Sequence, residues 1–543
     1  MSARSSASFS RSFLKTFVYS ILLFAISTSL TWAQERQTSP AAPTQQQSVS
    51  GHPASSQQAS ESSPKKDVPG TGITVQDQQS TGGEPNSSQE QQPQQPAGPL
   101  TKQQAKDLFR SVDTILHFAS HDTGLPEKHS VKRRLITRQS VENYVEKRIR
   151  EDKDTQRLQR SEAVLKKFGL LPPDYDLHAE FLRLLGEQVA AFYDPRTKTV
   201  SMLDWVPPDQ QKPVLAHELT HALQDQKVGL EKWQLAGAKD DSPLPDNQEE
   251  VVEEAQAARQ AVTEGQAMIV FLDYSLAPLG KDVLSAPEVV DAMRAEMGAS
   301  QDSPLFSAAP IFLRESLLMP YTFGTDFERY VLEHKGKDAA FAGVLDSPPA
   351  DTRQIMEPET YLAHQVAEPL KIPDLDQLAG PKYERYDFGG MGEFDVYLLV
   401  KQYAPDQDPK NIYSHWRGGY YYAAHGKGAP KDQVSLLYMS RWDSPVAAAQ
   451  FAKVYEGYVP KRYLRWFKNG SAPAAAVGGR PNISIWSEGP ESEQVKVEQS
   501  GNDLLVLEGF DADAAEHMTE ALLRPGSPES TNRPTSPKTP PLQ

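Results

Sequence analysis

The chain runs Val214-Leu215-Ala216-His217-Glu218-Leu219-Thr220-His221-Ala222-Leu223, two histidines and a glutamate set in an apolar-patterned stretch. On an α-helix, residues four apart lie one above the other on the same face. Two imidazoles at that spacing can share one zinc ion, and the carboxylate between them can reach water activated by the metal. The rival reading is two histidines falling by chance on a half-buried helix. The apolar surround and a suitable glutamate downstream weigh against it.

A catalytic zinc takes three protein ligands and leaves a position open. The chain contains no cysteine, so thiolate ligands, disulfides and a cysteine nucleophile are excluded, and any metal must be held by His and carboxylate. His217 and His221 supply two ligands. The best candidate for the third is Glu264, in Ala261-Val262-Thr263-Glu264-Gly265-Gln266-Ala267-Met268 on the next predicted helix. Its small neighbours Gly265 and Ala267 are expected to let that helix pack closely on the first. Glu253 and Glu254 are rivals, but with Glu249 and Glu250 they read as a solvated acidic face near a helix start. Glu218 is read as the general base and not as a ligand. Asp225, one turn beyond His221, either accepts the second N–H of a ligand ring or is a polar helix-end residue. Tyr321, His334, Tyr361 and His364 are candidates for stabilising an oxyanion. A second pair, His117 and His121, has Phe118 in the place of a base, and Gly124-Leu125-Pro126 ends its helix. These two are read as ordinary helix residues.

Working outward, Ala191-Phe192-Tyr193 with the preceding Val189-Ala190, and Thr199 to Leu203, read as two strands joined by a turn over Asp194–Lys198. Pro207-Pro208 ends this unit, and Pro213 suits the first turn of the histidine helix. Helical periodicity is found in Ala105–Ser120, Ser140–Ile149, Ser161–Phe168, Glu249–Tyr274 and Pro320–His334. From Tyr383 the texture changes. Tyr420–Ala424, Val434–Arg441, Ile483–Ser487, Glu493–Gln499 and Leu504–Gly509 read as strands, and Val446–Tyr458 and Ala512–Leu523 as helices.

The N-terminus has the form of a secretory signal over residues 1–33, with Arg4, Arg11 and Lys15 before the apolar stretch Phe17–Leu30. The rival reading is an uncleaved membrane anchor. Residues 34–100 are dominated by Gln, Ser, Pro and Gly and are expected to be a disordered linker, and 526–543 a tail of similar character. Residues 101–380 then form the metal-site domain and 381–525 a separate α+β domain. The net charge of −16 argues against a nucleic-acid partner. The short basic cluster Lys132-Arg133-Arg134 with Arg138 reads as solvated surface. No Gly-x-Ser-x-Gly elbow and no phosphate-binding glycine loop is present.

With these residues in view, the chain resembles zincin metallopeptidases of the gluzincin kind, and more closely a group of bacterial secreted zincin-like proteins. The resemblance spans roughly residues 105–365. It is carried by Val189–Pro195, by HELTHALQDQ at His217–Gln226, by Glu264-Gly265-Gln266-Ala267, by Met319-Pro320-Tyr321 with Gly324, and by Pro348-Pro349 with Thr352 and Gln354-Ile355. It implies His217, His221 and Glu264 as zinc ligands, Glu218 as base, and an edge strand from the 189–203 hairpin that lies antiparallel to a bound peptide. The chain departs from the thermolysin pattern in placing Glu264 far from the histidines and Met268 where that pattern has Asp. It also has Glu357 where the closer group has His.

The expected fold class is α+β: a small sheet with an edge hairpin, the histidine helix and a mainly helical second subdomain, followed by the C-terminal α+β domain. The expected activity is that of a zinc-dependent metallopeptidase, secreted or periplasmic, acting on protein or peptide, with possible loose envelope association. The alternatives are a non-catalytic zincin-fold envelope protein for binding or assembly, and a zinc amidase acting on cell-wall peptide.

Overall fold

The computed structural model describes residues 99–141, 143, 155–188, 191–237, 246–299, 304–430, 433–466, 474–476, 483–487 and 494–524. The signal-like segment, nearly all of the linker, the tail and most of the expected helix Ser140–Ile149 lie outside these residues. Among the described residues no helix is long and apolar enough to cross a membrane.

The N-terminal part is helical around a small mixed sheet. Its elements are α1 (Lys102–Thr123), β1 (Lys132–Ile136), α2 (Thr155–Lys167), α3 (Leu177–Gln188), β2 (Ala191–Asp194), β3 (Thr199–Leu203), α4 (Pro208–Val228), α5 (Asp246–Leu276), α6 (Pro287–Ala299) and α7 (Ile311–Lys335), with short helical turns between and after them. The sheet order is β1-β3-β2. β2 and β3 form the expected antiparallel hairpin, Ala191 opposite Met202 and Asp194 opposite Thr199. The Asp194 carboxylate closes the turn, accepting from the Arg196 amide and the Thr197 hydroxyl at 3.0 Å each.

The basic cluster lies on the surface as expected, with Lys132, Arg134 and Arg138 exposed, but its backbone is part of the sheet. Lys132–Arg134 belongs to β1, which pairs in parallel with β3. Arg133 donates to the Phe109 carbonyl (2.7 Å) and Arg134 to the Ser201 hydroxyl (2.8 Å), while the Arg138 guanidinium lies over the Trp205 ring.

The histidine helix starts earlier than expected. Pro208, not Pro213, occupies the first turn, and Pro213 lies inside the helix. Gly229, at φ 70°, closes it with its N–H on the Asp225 carbonyl. α5 packs on α4, but its glycine serves a different neighbour. A Cβ on Gly265 would sit 2.2 Å from the Gly324 carbonyl oxygen of α7, and one on Gly324 would sit 2.2 Å from the Ala261 carbonyl oxygen. Gly265 is therefore the crossing point of α5 with α7 rather than with α4.

From Tyr383 the chain builds a seven-stranded antiparallel sheet in the order β4-β5-β6-β10-β9-β8-β7: β4 Tyr383–Gly390, β5 Trp416–Gly426, β6 Ser435–Trp442, β7 Ala474–Ala476, β8 Ile483–Ser487, β9 Gln494–Ser500 and β10 Asp503–Glu508. α8 (Glu393–Tyr403), α9 (Pro445–Trp466) and α10 (Ala512–Leu523) complete it. Alternate residues divide between two cores, as the pleat requires. Tyr421, Ala423, Tyr438, Leu504 and Val506 join the core that continues into the N-terminal helices. Tyr420, Tyr422, Leu437, Leu505 and Leu507 join a smaller core with Met518 of α10.

Glu253 and Glu254, expected on a solvated acidic face, lie instead at the joint between the two parts. Glu254 is buried, its Oε2 accepting from the Thr352 amide (3.0 Å) and hydroxyl (2.6 Å). Glu253 accepts from the Gly390 amide at 3.0 Å, and Asp246 takes both arms of Arg385. Glu315 of α7 takes Tyr397 and Lys401 of α8.

Candidate metal centre

The face of α4 that carries His217 and His221 points at Glu264 on α5. His217 Nε2 lies 3.1 Å from Glu264 Oε2, His221 Nε2 lies 3.4 Å from the same oxygen, and the two Nε2 atoms are 3.0 Å apart. With metal–ligand bonds of about 2.0–2.1 Å, three corners of a tetrahedron stand about 3.3 Å from one another. The triangle in the structure has that size. Relative exposure is 0% for His217, 5% for His221 and 4% for Glu264. Among the described residues this is the one group of His and carboxylate donors close enough to hold a metal ion. Two imidazoles and a carboxylate suit zinc and several other divalent transition ions.

Without an ion the three groups satisfy one another electrostatically. Burial opposes charge on Glu264, but His221 and His217 outweigh it and hold the carboxyl down at about 2. Burial also opposes charge on His221, and Glu264, Glu218 and Gln224 overcome it, raising the ring to about 9. Burial prevails at His217, lowered to about 4. A divalent cation fits such a group because it supplies the positive charge that protonated His221 otherwise carries.

Glu218 stands beside the three donors. Its Oε2 accepts from the Tyr193 backbone N–H of the edge strand β2 at 2.7 Å. Its Oε1 has no hydrogen-bond partner. Burial pushes this carboxyl up to about 8, with Glu264 adding to the rise and His221 and the Tyr193 amide opposing it.

Of the four oxyanion candidates, the structure brings Tyr321 to the site. Its ring stacks on His217 at 6.2 Å between centroids and 25° between planes. His334 bonds the Tyr330 carbonyl, Tyr361 donates to the Ser347 carbonyl, and His364 is exposed with φ 53°. Glu357 pairs with Arg353 at 3.1 Å. Glu253 and Glu254 are committed to the joint described above. His117 and His121 are exposed on α1, which Gly124 ends at φ 72°.

Asp225 does not accept from a ligand ring. It takes the Tyr193 hydroxyl (2.8 Å), Lys198 and the Leu230 amide (3.0 Å), tying α4 to the hairpin. The partner of His221 is Gln224, whose Oε1 lies 2.9 Å from Nδ1. Sequence reading missed Gln224 and Gln266. The available signal was spacing: Gln224 is three residues after His221 and Gln266 two after Glu264.

No curated protein and no solved structure matches the chain. Residues 383–519, which build the C-terminal sheet and do not include the candidate site, match a domain of unknown function (DUF8575).

Proposed function

We propose that this chain is a secreted or periplasmic zinc metallopeptidase with His217, His221 and Glu264 as ligands and Glu218 as general base. The observation that carries the reading is the split role of the Glu218 carboxylate: Oε2 is anchored by the Tyr193 amide and Oε1 is unbonded beside the three donors. A purely structural metal site needs no such group. A divalent ion held by His217, His221 and Glu264 would supply Lewis acidity and lower the pKa of water there. Glu218 takes the water proton on Oε1 and returns it to the leaving amine, ending the cycle as the carboxylate it began. A protein or peptide substrate is favoured by the position of β2. It is the end strand of its sheet and touches Glu218 through its own backbone, and an edge strand can add an extended peptide. Secretion, or an N-terminal anchor facing outside the cytoplasm, is inferred from the charged and apolar pattern of residues 1–33.

The test is Glu218→Gln in the full chain. Zinc content is expected to be unchanged, and cleavage of denatured protein and of a random peptide library is expected to fall about 10²–10⁴-fold. Cell-wall peptide is the parallel substrate. If wild type binds zinc but cleaves nothing, a non-catalytic binding module is the correct reading. Cleavage of cell-wall peptide alone makes it an amidase.

A further inference from the structure

Behind the metal group runs a line of buried amides with a fixed polarity. Gln266 Nε2 donates to two backbone carbonyls, Ala340 (2.9 Å) and Phe341 (3.0 Å), in a π-helical turn over Ala339–Gly343. Gln266 Oε1 accepts from Gln224 Nε2 at 2.9 Å, and that same nitrogen donates to the Thr263 carbonyl at 3.0 Å. Gln224 Oε1 then faces His221 Nδ1 at 2.9 Å. Gln224 and Gln266 are 0% exposed, so water does not substitute for a lost partner.

Carbonyl oxygens only accept. Flipping Gln266 would set its own oxygen against Ala340 and Phe341, two acceptor–acceptor contacts in a dry site. Flipping Gln224 would set its oxygen against Thr263 and Gln266. Neither amide can reverse, and the only atom Gln224 can offer His221 is an acceptor.

We propose that Gln224 and Gln266 are positioning residues, an amide chain anchored on the π-helical turn that holds a proton on His221 Nδ1, so that Nε2 is the nitrogen presented to the metal position. A carboxylate in the same place would orient the ring equally well but would add negative charge beside Glu264 and Glu218. Neutral amides fix the tautomer without that charge. The proposal rests on the metal-centre reading for its consequence, but not for the hydrogen-bond chain itself.

The experiment uses the full chain with ¹⁵N-labelled histidine. In metal-free wild type, a slowly exchanging Nδ1–H of His221 is expected, and it should vanish in Gln224→Met. In zinc-loaded wild type, the metal should sit on Nε2 with the proton still on Nδ1. Zinc affinity, read by competition with a chromophoric chelator, is expected to fall about 10–100-fold in Gln224→Met and in Gln266→Met. Gln266→Glu, which turns a carboxylate on the two carbonyls, should fare worse than Gln266→Met. Zinc on Nδ1, or no protected Nδ1 proton in wild type, overturns the proposal without reference to any variant. Folded Gln224→Met and Gln266→Met proteins with wild-type affinity overturn it too. A wild type that shows the Nδ1 proton but binds no zinc removes the metal centre and leaves the amide chain standing.

Discussion

Glu264, Glu253 and Glu254 share one helix, and what separates them is their surroundings. Glu264 meets two imidazoles, whereas Glu254 meets the amide and hydroxyl of Thr352 and packs on Gly392, where a Cβ would approach its carboxylate to 2.0 Å. Glu264→Ala is therefore expected to abolish stoichiometric zinc binding in a metal assay. Glu254→Ala should retain the metal and lose about 1–3 kcal/mol of stability, because it strands the buried Thr352 donors. A metal-free Glu254→Ala protein that is otherwise folded would show that the wrong carboxylate has been named. Glu328 of α7 gives a pH prediction. It is fully buried, and burial raises its carboxyl well above 4.5, with the Gln266 amide opposing. The folded state thus binds a proton that the unfolded state releases above about pH 4.5. Its contribution is complete below that pH and declines as pH rises. Glu328→Gln should raise the melting temperature at pH 8 by more than at pH 5. Equal shifts at both pH values would mean that this carboxyl is not held neutral.

Among the elements, the α5–α7 crossing places Glu264. Ala261, whose carbonyl meets Gly324, lies one turn before Glu264 on the same helix. In an exposed helix, Gly→Ala is stabilising by roughly 1 kcal/mol. Here the new Cβ would meet backbone at 2.2 Å on a partner that cannot swing aside, so the helices must separate. Gly324→Ala should therefore destabilise by about 1–3 kcal/mol and weaken zinc binding as Glu264 is displaced. A raised melting temperature in this variant would mean that the crossing is looser than the structure shows. The hairpin plays the matching role for Glu218. Tyr193 holds the Glu218 carboxylate through its amide and Asp225 through its hydroxyl, so β2 and α4 are fixed on each other at both ends of the side chain.

For the whole molecule, the C-terminal sheet is a support for the helices that carry the candidate metal site. One face of it shares a core with the N-terminal helices. Its strand β4 holds Asp246 and Glu253 on α5, and α8 holds Glu315 on α7. On the far side of the joint, Arg462 of α9 pairs with buried Glu508 at 2.6 Å and donates to the Lys167 carbonyl of α2. Ending the chain at residue 380 would strand these carboxylates and expose the shared face. We expect such a truncated chain to lose cooperative thermal unfolding and zinc binding together. A soluble 1–380 protein with a sharp transition and one bound zinc would show that the sheet is dispensable.

The spacing of His217, Glu218 and His221 was legible because a helix converts a four-residue interval into a shared face, a purely local rule. The hairpin Ala191–Leu203 and five of the seven C-terminal strands were legible for the same reason, since alternation and turn residues are local signals, whereas β4 and β7 were not read as strands. Glu264 was legible as a candidate through its small neighbours, although Gly265 proved to face α7. The remaining features depend on which elements meet. β1 is a strand because β3 lies beside it, and nothing in Lys132–Ile136 alternates. Glu254 is buried because Thr352 and Gly392 come to it across about a hundred residues of chain. Gln224 and Gln266 are an ordinary pair of polar residues until the π-helical turn supplies two carbonyls that fix their direction. Local periodicity specifies a helix face, but only tertiary packing decides what that face meets and which polar atoms are left without water.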